Sequence, residues 1–254
     1  MDPFSAGVAR FARVTPPGKA RLRRFPFLVS LVLGAAAALA AGGCGGGAKT
    51  KSVQASRPAN TIFVAALGDS VTAGSPGFDP SHARAKLLGF GEDPQSQWEY
   101  WAARRDPRLV FRNCGVYGER TDEIARRLLA CQRGADVLVV QGGINDIAQG
   151  MPVAVAARNL RRMVERGKAL GLRVEVTELI PWNNGYPDAA PKILALNRLI
   201  DATGKAEHVR VLPFYSVLDD PKHPGRMADA WTADGDQPSV EGYRRLGELA
   251  FRLP

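Results

Sequence analysis

Ser70 is the side chain of this sequence best placed for covalent chemistry. It follows Thr61-Ile62-Phe63-Val64-Ala65-Ala66-Leu67, an apolar, partly β-branched run that reads as a buried parallel strand, and Gly68-Asp69, which stop that strand in a tight turn. A serine at the carboxyl end of the first strand of an α/β sheet projects its hydroxyl into the crevice where such folds place their sites. Backbone N–H groups there are free to stabilise negative charge. A Gly-Asp-Ser tripeptide alone is more often just a polar turn, but two further segments add weight. Asn113-Cys114-Gly115-Val116-Tyr117-Gly118-Glu119 offers glycines whose unencumbered N–H can face an oxyanion, and Gly143-Ile144-Asn145-Asp146 brings the amide donor of Asn145. A nucleophile, a backbone donor and an amide donor are the parts an acyl-transfer site needs.

Elements that could hold these parts alternate along the chain. Residues 75–94 form a long Gly- and Pro-bearing insertion without a clear period, a length often used for lids or binding walls. Gln95 to Arg105 reads as a helix with Trp98 and Trp101 on one face, a core pattern rather than a ligand platform. Leu109–Asn113 is the second strand, and Thr121–Gln132 an amphipathic helix capped by Thr121 with acids in its first turn. Ala135–Val140 is the third strand, Pro152 opens a helix to about Leu170, and Arg173–Ile180 is the fourth strand. A loop over 181–188, with Trp182, Asn183, Asn184 and Tyr186, leads to a helix from Ala189 to about Thr203. Val209–Leu212 is a short fifth strand, and Ser239–Arg252 the last helix after an irregular stretch. Strands alternating with helices predict a three-layer α/β/α domain whose parallel sheet has about five strands. Parallel topology then brings Ser70, the Asn113–Glu119 turn and Asn145 to one sheet edge.

With these blocks in that order, the chain from Thr61 onward resembles the SGNH hydrolase superfamily, the GDSL-type esterases and lipases. Gly68-Asp69-Ser70, Asn113…Gly118 and Gly143-Ile144-Asn145-Asp146 match its first three blocks. The resemblance implies a flavodoxin-like fold and a carboxylic ester hydrolase with an acyl-Ser70 intermediate. Its oxyanion hole would be made by the N–H groups of Ser70 and Gly118 and the Asn145 side chain. Gly118 is chosen because the family glycine precedes an acid, here Glu119; Gly115 is the alternative. Asp69 and Asp146 would brace their loops. The substrate would be a small-molecule ester, whether acyl ester, lysolipid or acetylated sugar, with no cofactor.

The last block departs from the family. Asp-x-x-His, followed by Pro and Gly-Tyr, becomes Asp234-Gly235-Asp236-Gln237 ahead of Pro238 and Gly242-Tyr243. A histidine titrates near neutral pH and shuttles the serine proton; a glutamine amide cannot accept it. Activity is therefore expected to be impaired, and a silent binding domain for an acylated carbohydrate or lipid is the alternative. His223, in Asp220-Pro221-Lys222-His223-Pro224, is the nearest substitute by motif but lacks the following helix with Gly-Tyr. His82 lies in the insertion, and His208 precedes the fifth strand on the far edge of the sheet.

Upstream, a basic segment, an apolar run from Phe25 to Ala41 and Gly42-Gly43-Cys44 describe an export signal. Residues 1–44 resemble a lipoprotein signal with a lipobox-like Cys44, although Ala41 stands where lipoboxes usually carry Leu. An uncleaved anchor and a plain secreted form are the alternatives; all three place the domain outside the cytoplasm, periplasmic or at the cell envelope. Residues 45–60 read as a flexible tether to a domain over 61–254, with membrane contact only through the N-terminal anchor. The net charge of +9 is largely a targeting feature: six bases and one acid fall within residues 1–43, leaving +4. That balance argues against a nucleic-acid partner. Cys114 and Cys131 read as free buried thiols, with a disulfide as the alternative. Three scattered histidines give no metal-ligand spacing.

Overall fold

The computed structural model describes residues 60–253; the segment read as an export signal, with Cys44, and most of the segment read as a tether lie outside them. Five parallel strands, β1 (Ile62–Gly68), β2 (Leu109–Gly115), β3 (Val137–Val140), β4 (Arg173–Thr177) and β5 (Arg210–Leu212), form one sheet in the order β2-β1-β3-β4-β5. The first strand thus lies between β2 and β3, with Gly68 opposite Gly115 and Leu67 opposite Val140.

Side-chain alternation along each strand builds the layers. Ala65 and Leu67 of β1 and Leu138 and Val140 of β3 face one core with α4 (Thr121–Cys131), α6 (Val153–Ala169) and α7 (Ala190–Glu207). Val64, Ala66, Val137 and Val139 face the other, with α3 (Trp98–Arg105), α8 (Phe214–Leu218), α9 (Val240–Arg245) and the π turn Leu246–Ala250. Both central strands are apolar on both faces because both faces are covered. Each fully buried Val or Leu contributes about 1.5–3 kcal/mol. Trp98 anchors the second core, its ring 5.2–5.8 Å from those of Phe111, Phe214 and Phe251.

Several elements differ from the sequence reading. The insertion contains a helix, α2 (His82–Leu88), started by Ser81, whose hydroxyl accepts from Arg84 N–H, and ended by Gly89 in a left-handed conformation. Short helices follow two of the central strands: α1 (Ser70–Ala73) one residue after β1 and α5 (Ile144–Ala148) after Gln141-Gly142-Gly143 at the end of β3. Helix α7 runs four residues past Thr203, because Gly204 lets it close on Val211, where a Cβ would come within 2.4 Å of the valine methyl. The last helix is shorter than expected, continuing as the π turn. Arg120, not Thr121, occupies the N-cap of α4; its N–H is bonded by Glu123, and Thr121 turns to Asp146.

Cys114 and Cys131 are not free thiols but a disulfide, with 6.0 Å between their Cα atoms. Spacing alone could not show that α4 carries Cys131 back to the end of β2. The cross-link closes a 17-residue separation, a loop size that restricts the unfolded chain by about 3 kcal/mol. Reduction is expected to lower the melting temperature by roughly 6–12 °C in a domain of this size, read by calorimetry with and without dithiothreitol.

Glu175 is buried in β4, and its Oε2 has no hydrogen-bond partner among the described residues. Burial pushes its carboxyl up to about 7, only partly offset by Arg210 and Arg173. The folded chain therefore keeps a proton that the unfolded chain releases near the ordinary value of 4.5. Stability supplied by the protonated form is complete below pH 4.5 and is lost as pH rises to about 7, a change on the order of 3 kcal/mol. Glu175→Gln is expected to change stability little at pH 4.5 and to raise it at pH 8, flattening the urea-unfolding profile between them.

Candidate active site

The turn after β1 is packed too tightly for any residue but glycine at its first position. A Cβ on Gly68 would lie 2.2 Å from Thr72 Oγ1 and 2.4 Å from Gln141 Oε1. Gln141, directly after β3, accepts from Asp69 N–H at 3.0 Å and from Thr72 Oγ1 at 2.9 Å, so the neighbouring strand fixes the turn. Asp69 is fully buried and caps α1 by accepting from Val71 N–H at 2.9 Å. Burial pushes its carboxyl up to about 6, opposed by that N–H. Ser70 opens α1, and a first-turn N–H has no carbonyl one turn back to bond. Beneath the turn, the Tyr243 hydroxyl is kept protonated by burial and then by Glu99, Asp69 and Asp234.

The second turn is tied to the first. Asn113 Nδ2 donates to Thr72 O at 2.7 Å, and Asn113 Oδ1 accepts from Gly115 N–H at 2.8 Å. Gly115 is a close-approach glycine, since a Cβ there would sit 2.1 Å from Ala73 N. Gly118 serves a different need: the space around it is open, but its φ of +78° is one that other residues rarely adopt. Of the two candidate glycines, Gly118 lines the cleft with Ser70. Asn145, in the first turn of α5, donates through Nδ2 to Glu119 O at 3.0 Å, which leaves its second amide hydrogen. Asp146 accepts from Thr121 N–H at 2.9 Å and Thr121 Oγ1 at 2.7 Å, bracing α5 against α4.

Gln237 closes the arrangement from the far end of the sequence. Its Nε2 donates to Ser70 Oγ at 3.0 Å, while its buried Oε1 has no partner among the described residues. Asp234 is occupied with its own loop: Oδ1 accepts from Asp236 N–H at 2.9 Å and Gln237 N–H at 2.8 Å. Thr232 Oγ1 donates to Gln237 O. An amide bonded to the serine in this way holds the hydroxyl but offers no lone pair basic enough to take its proton.

Ser70, Tyr117, Gly118, Asn145, Trp182 and Gln237 are common walls of one cleft of about 160 Å³. Asp234 does not line it and reaches it through its bonds to the N–H groups of Asp236 and Gln237. The 181–188 loop contributes Trp182, whose Nε1 donates to Asp236 Oδ1 at 2.5 Å. The insertion does not form a wall, contrary to expectation. Instead Phe90 packs edge-on against Tyr117, and Arg84, paired with buried Asp79 at 2.6 Å, donates to Gly115 O at 3.0 Å. His223 also stays apart: it is exposed, bonds Asp220 Oδ2 at 2.8 Å and lines a separate cavity with Arg226 and Asp229. His82 pairs with Glu92 at the surface, and His208 ends α7 in a left-handed conformation before β5. Among the described residues, no cluster of three or more His, Cys, Asp or Glu could hold a metal ion.

Sequence reasoning missed Arg127. From α4 its guanidinium forks onto the Glu119 carboxylate and also donates to Cys114 O and, at 3.0 Å, to Gly68 O. One side chain thereby joins the ends of β1 and β2 to the turn that holds Gly118. Within an amphipathic helix it looked like any solvated arginine. Arg127→Ala is expected to cost about 1–3 kcal/mol by leaving Glu119 and two carbonyls underbonded. It should also speed amide hydrogen exchange across 115–120, and Arg127→Lys, lacking the fork, should restore only part of both.

Comparison with known proteins adds to this geometry. The model of the GDSL-like Lipase/Acylhydrolase family matches residues 66–245. An arylesterase of Vibrio mimicus is 26% identical over 175 residues, spanning 61% of this chain and 87% of that protein. Among solved structures, a G-D-S-L family protein from Desulfitobacterium hafniense superposes with a TM-score of 0.61 at 19% identity, covering 74% of this chain and 97% of the other. The lipase/acylhydrolase from Enterococcus faecalis gives 0.57 at 22% identity, over 74% and 92%. These two likenesses are of fold.

Proposed function

We propose that this chain, which belongs to the GDSL-like lipase/acylhydrolase family, is an exported serine ester hydrolase whose rate is held down by a single side chain, Gln237. The observation that carries the reading is the hydrogen bond of 3.0 Å from Gln237 Nε2 to Ser70 Oγ, in the cleft shared with Gly118 and Asn145.

In the proposed reaction Ser70 Oγ attacks the ester carbonyl carbon. The carbonyl oxygen becomes an oxyanion, met by the N–H groups of Ser70 and Gly118 and by the free amide hydrogen of Asn145. Collapse of the tetrahedral intermediate breaks the bond to the alcohol, and water then releases the acid from acyl-Ser70. Two protons must move: the serine proton to the leaving alcohol, and a water proton back to Ser70. A histidine does both; Gln237 does neither. Oxyanion stabilisation remains, and in serine hydrolases lacking a triad member it supports a residual rate about 10³–10⁴ over water.

Export is supported by the basic and apolar N-terminal segment and by the Cys114–Cys131 disulfide, a bond that persists in oxidising compartments. The proposed location is the periplasm or cell envelope, with Cys44 as the lipid-bearing residue. A second reading, a silent binding domain, draws on the same hydrogen bond, because Ser70 is held while Asp234 bonds its own loop.

Hydrolysis of 4-nitrophenyl acetate separates the two. The parent is expected to turn over slowly, Ser70→Ala not at all, and Gln237→His faster by about 10²–10⁴-fold, the usual worth of a positioned general base. His223→Ala should leave the parent rate unchanged. A Gln237→His protein that binds esters yet gains no turnover would favour the binding domain.

A further inference from the structure

Beside the Ser70 cleft lies a second cavity of about 240 Å³, and the two share Ala148 and Trp182 as walls. Its other lining includes Asn184, Tyr186, Asp188 and Lys192. Two more apolar cavities, one between α6 and α7 and one at the amino ends of β1 and β2, share no residue with the Ser70 cleft. An ester seated at Ser70 therefore has a polar, aromatic-walled space next to it, while those apolar cavities do not adjoin it.

Resting on the esterase reading, we propose that this second cavity seats the alcohol half of the substrate and that this half is a neutral carbohydrate carrying a short acyl group. Trp182 is the recognition wall. Its ring packs against Gly185, where a Cβ would come within 2.2 Å of the indole, and its Nε1 is bonded to Asp236. Asn184 Nδ2 donates to the same Asp236 oxygen at 2.8 Å and to Asp234 O at 3.0 Å, so the loop is locked to the Gln237 turn. An indole held in place before the ligand arrives offers a flat apolar surface to the C–H face of a sugar ring at little ordering cost. Asn184, Tyr186, Asp188 and Lys192 add donors and acceptors for ring hydroxyls. The lining holds one carboxylate, Asp188, and one ammonium, Lys192, so the cavity has no net charge to select a phosphorylated headgroup. A long acyl chain would need an extended apolar wall, whereas the Ser70 cleft offers Ile144 and Ala148 beside its polar groups.

Saturation-transfer NMR on the full chain, with xylotriose and O-acetylated xylotriose as probes, reads this without any need for turnover. Transfer to ring protons of both sugars is expected, falling at least fivefold in Trp182→Ala and at least threefold in the exposed pair Asp188→Ala with Lys192→Ala. Should Trp182→Ala lose its circular-dichroism spectrum, the exposed pair decides. Absence of transfer, transfer unchanged in the folded variants, or displacement of the sugars by phosphatidylcholine vesicles would overturn the proposal. The two readings fail separately: 4-nitrophenyl acetate turnover by Gln237→His without sugar contact leaves the esterase standing alone. Sugar contact through Trp182 without turnover does the reverse.

Discussion

Parallel pairing of β1 with strands on both sides is the constraint on which the site depends. Because all five strands run the same way, every loop leaving a strand end emerges on the same edge. Gly68 opposite Gly115 and Leu67 opposite Val140 set three such loops level with one another to within a residue or two. Ser70, the Gly118 turn and Asn145 meet for that reason. The apolar alternation that drives the sheet is thus also what assembles the candidate site: Leu67 and Val140 are buried in the core shared with α4, and the loops that carry Ser70 and Asn145 begin beyond them.

Register alone would leave three independent loops, and polar side chains convert them into one body. Gln141 holds the Ser70 turn from β3, Asn113 holds α1 from β2, Asp146 holds α4 from α5, and Arg127 joins the ends of β1 and β2. These groups are buried or partly buried, where an unmade hydrogen bond costs about 1–3 kcal/mol, so each contact is costly to lose. Asp69 shows the other side of such packing. It caps α1 and lies in the tightest part of the turn, and its carboxyl is raised to about 6 by the burial that makes it a rigid brace.

What was legible in the sequence followed from periodicity and short motifs. Fully apolar β1 and β3 can only be central strands, and Gly-Asp-Ser, Asn…Gly and Gly-x-Asn-Asp mark strand ends whose side chains do converge on one cleft. Less was legible where the outcome depends on distant partners. Helix α2 is short and buries only Ala85, being held by the Asp79–Arg84 pair rather than by an apolar stripe, so its residues read as loop. The disulfide needed the return path of α4, which spacing does not give. Arg127 was hidden for the same reason, since its partners lie 8, 13 and 59 residues away. Gly115 and Gly118 could not be told apart by type; one is required by contact with Ala73 and the other by its backbone angle.

Gln237 differs from these cases because its position was legible and what separates it from a histidine is proton chemistry rather than local structure. The turn that presents it is made by Asp234, Thr232 and backbone groups, none of which bonds the glutamine side chain. Ser239 then starts the following helix, its hydroxyl accepting from Gly242 N–H at 3.2 Å. Nothing in this local scaffold depends on an imidazole. The amide reaches Ser70 and satisfies one hydrogen bond, at the cost of a buried Oε1 without a partner among the described residues. Folding and catalysis therefore make separable demands on position 237. Folding needs a buried polar side chain of moderate size, whereas catalysis needs one that exchanges a proton near neutral pH. A residue can meet the first demand in full and the second not at all, so an ordered cleft around Ser70 does not by itself require a base at position 237.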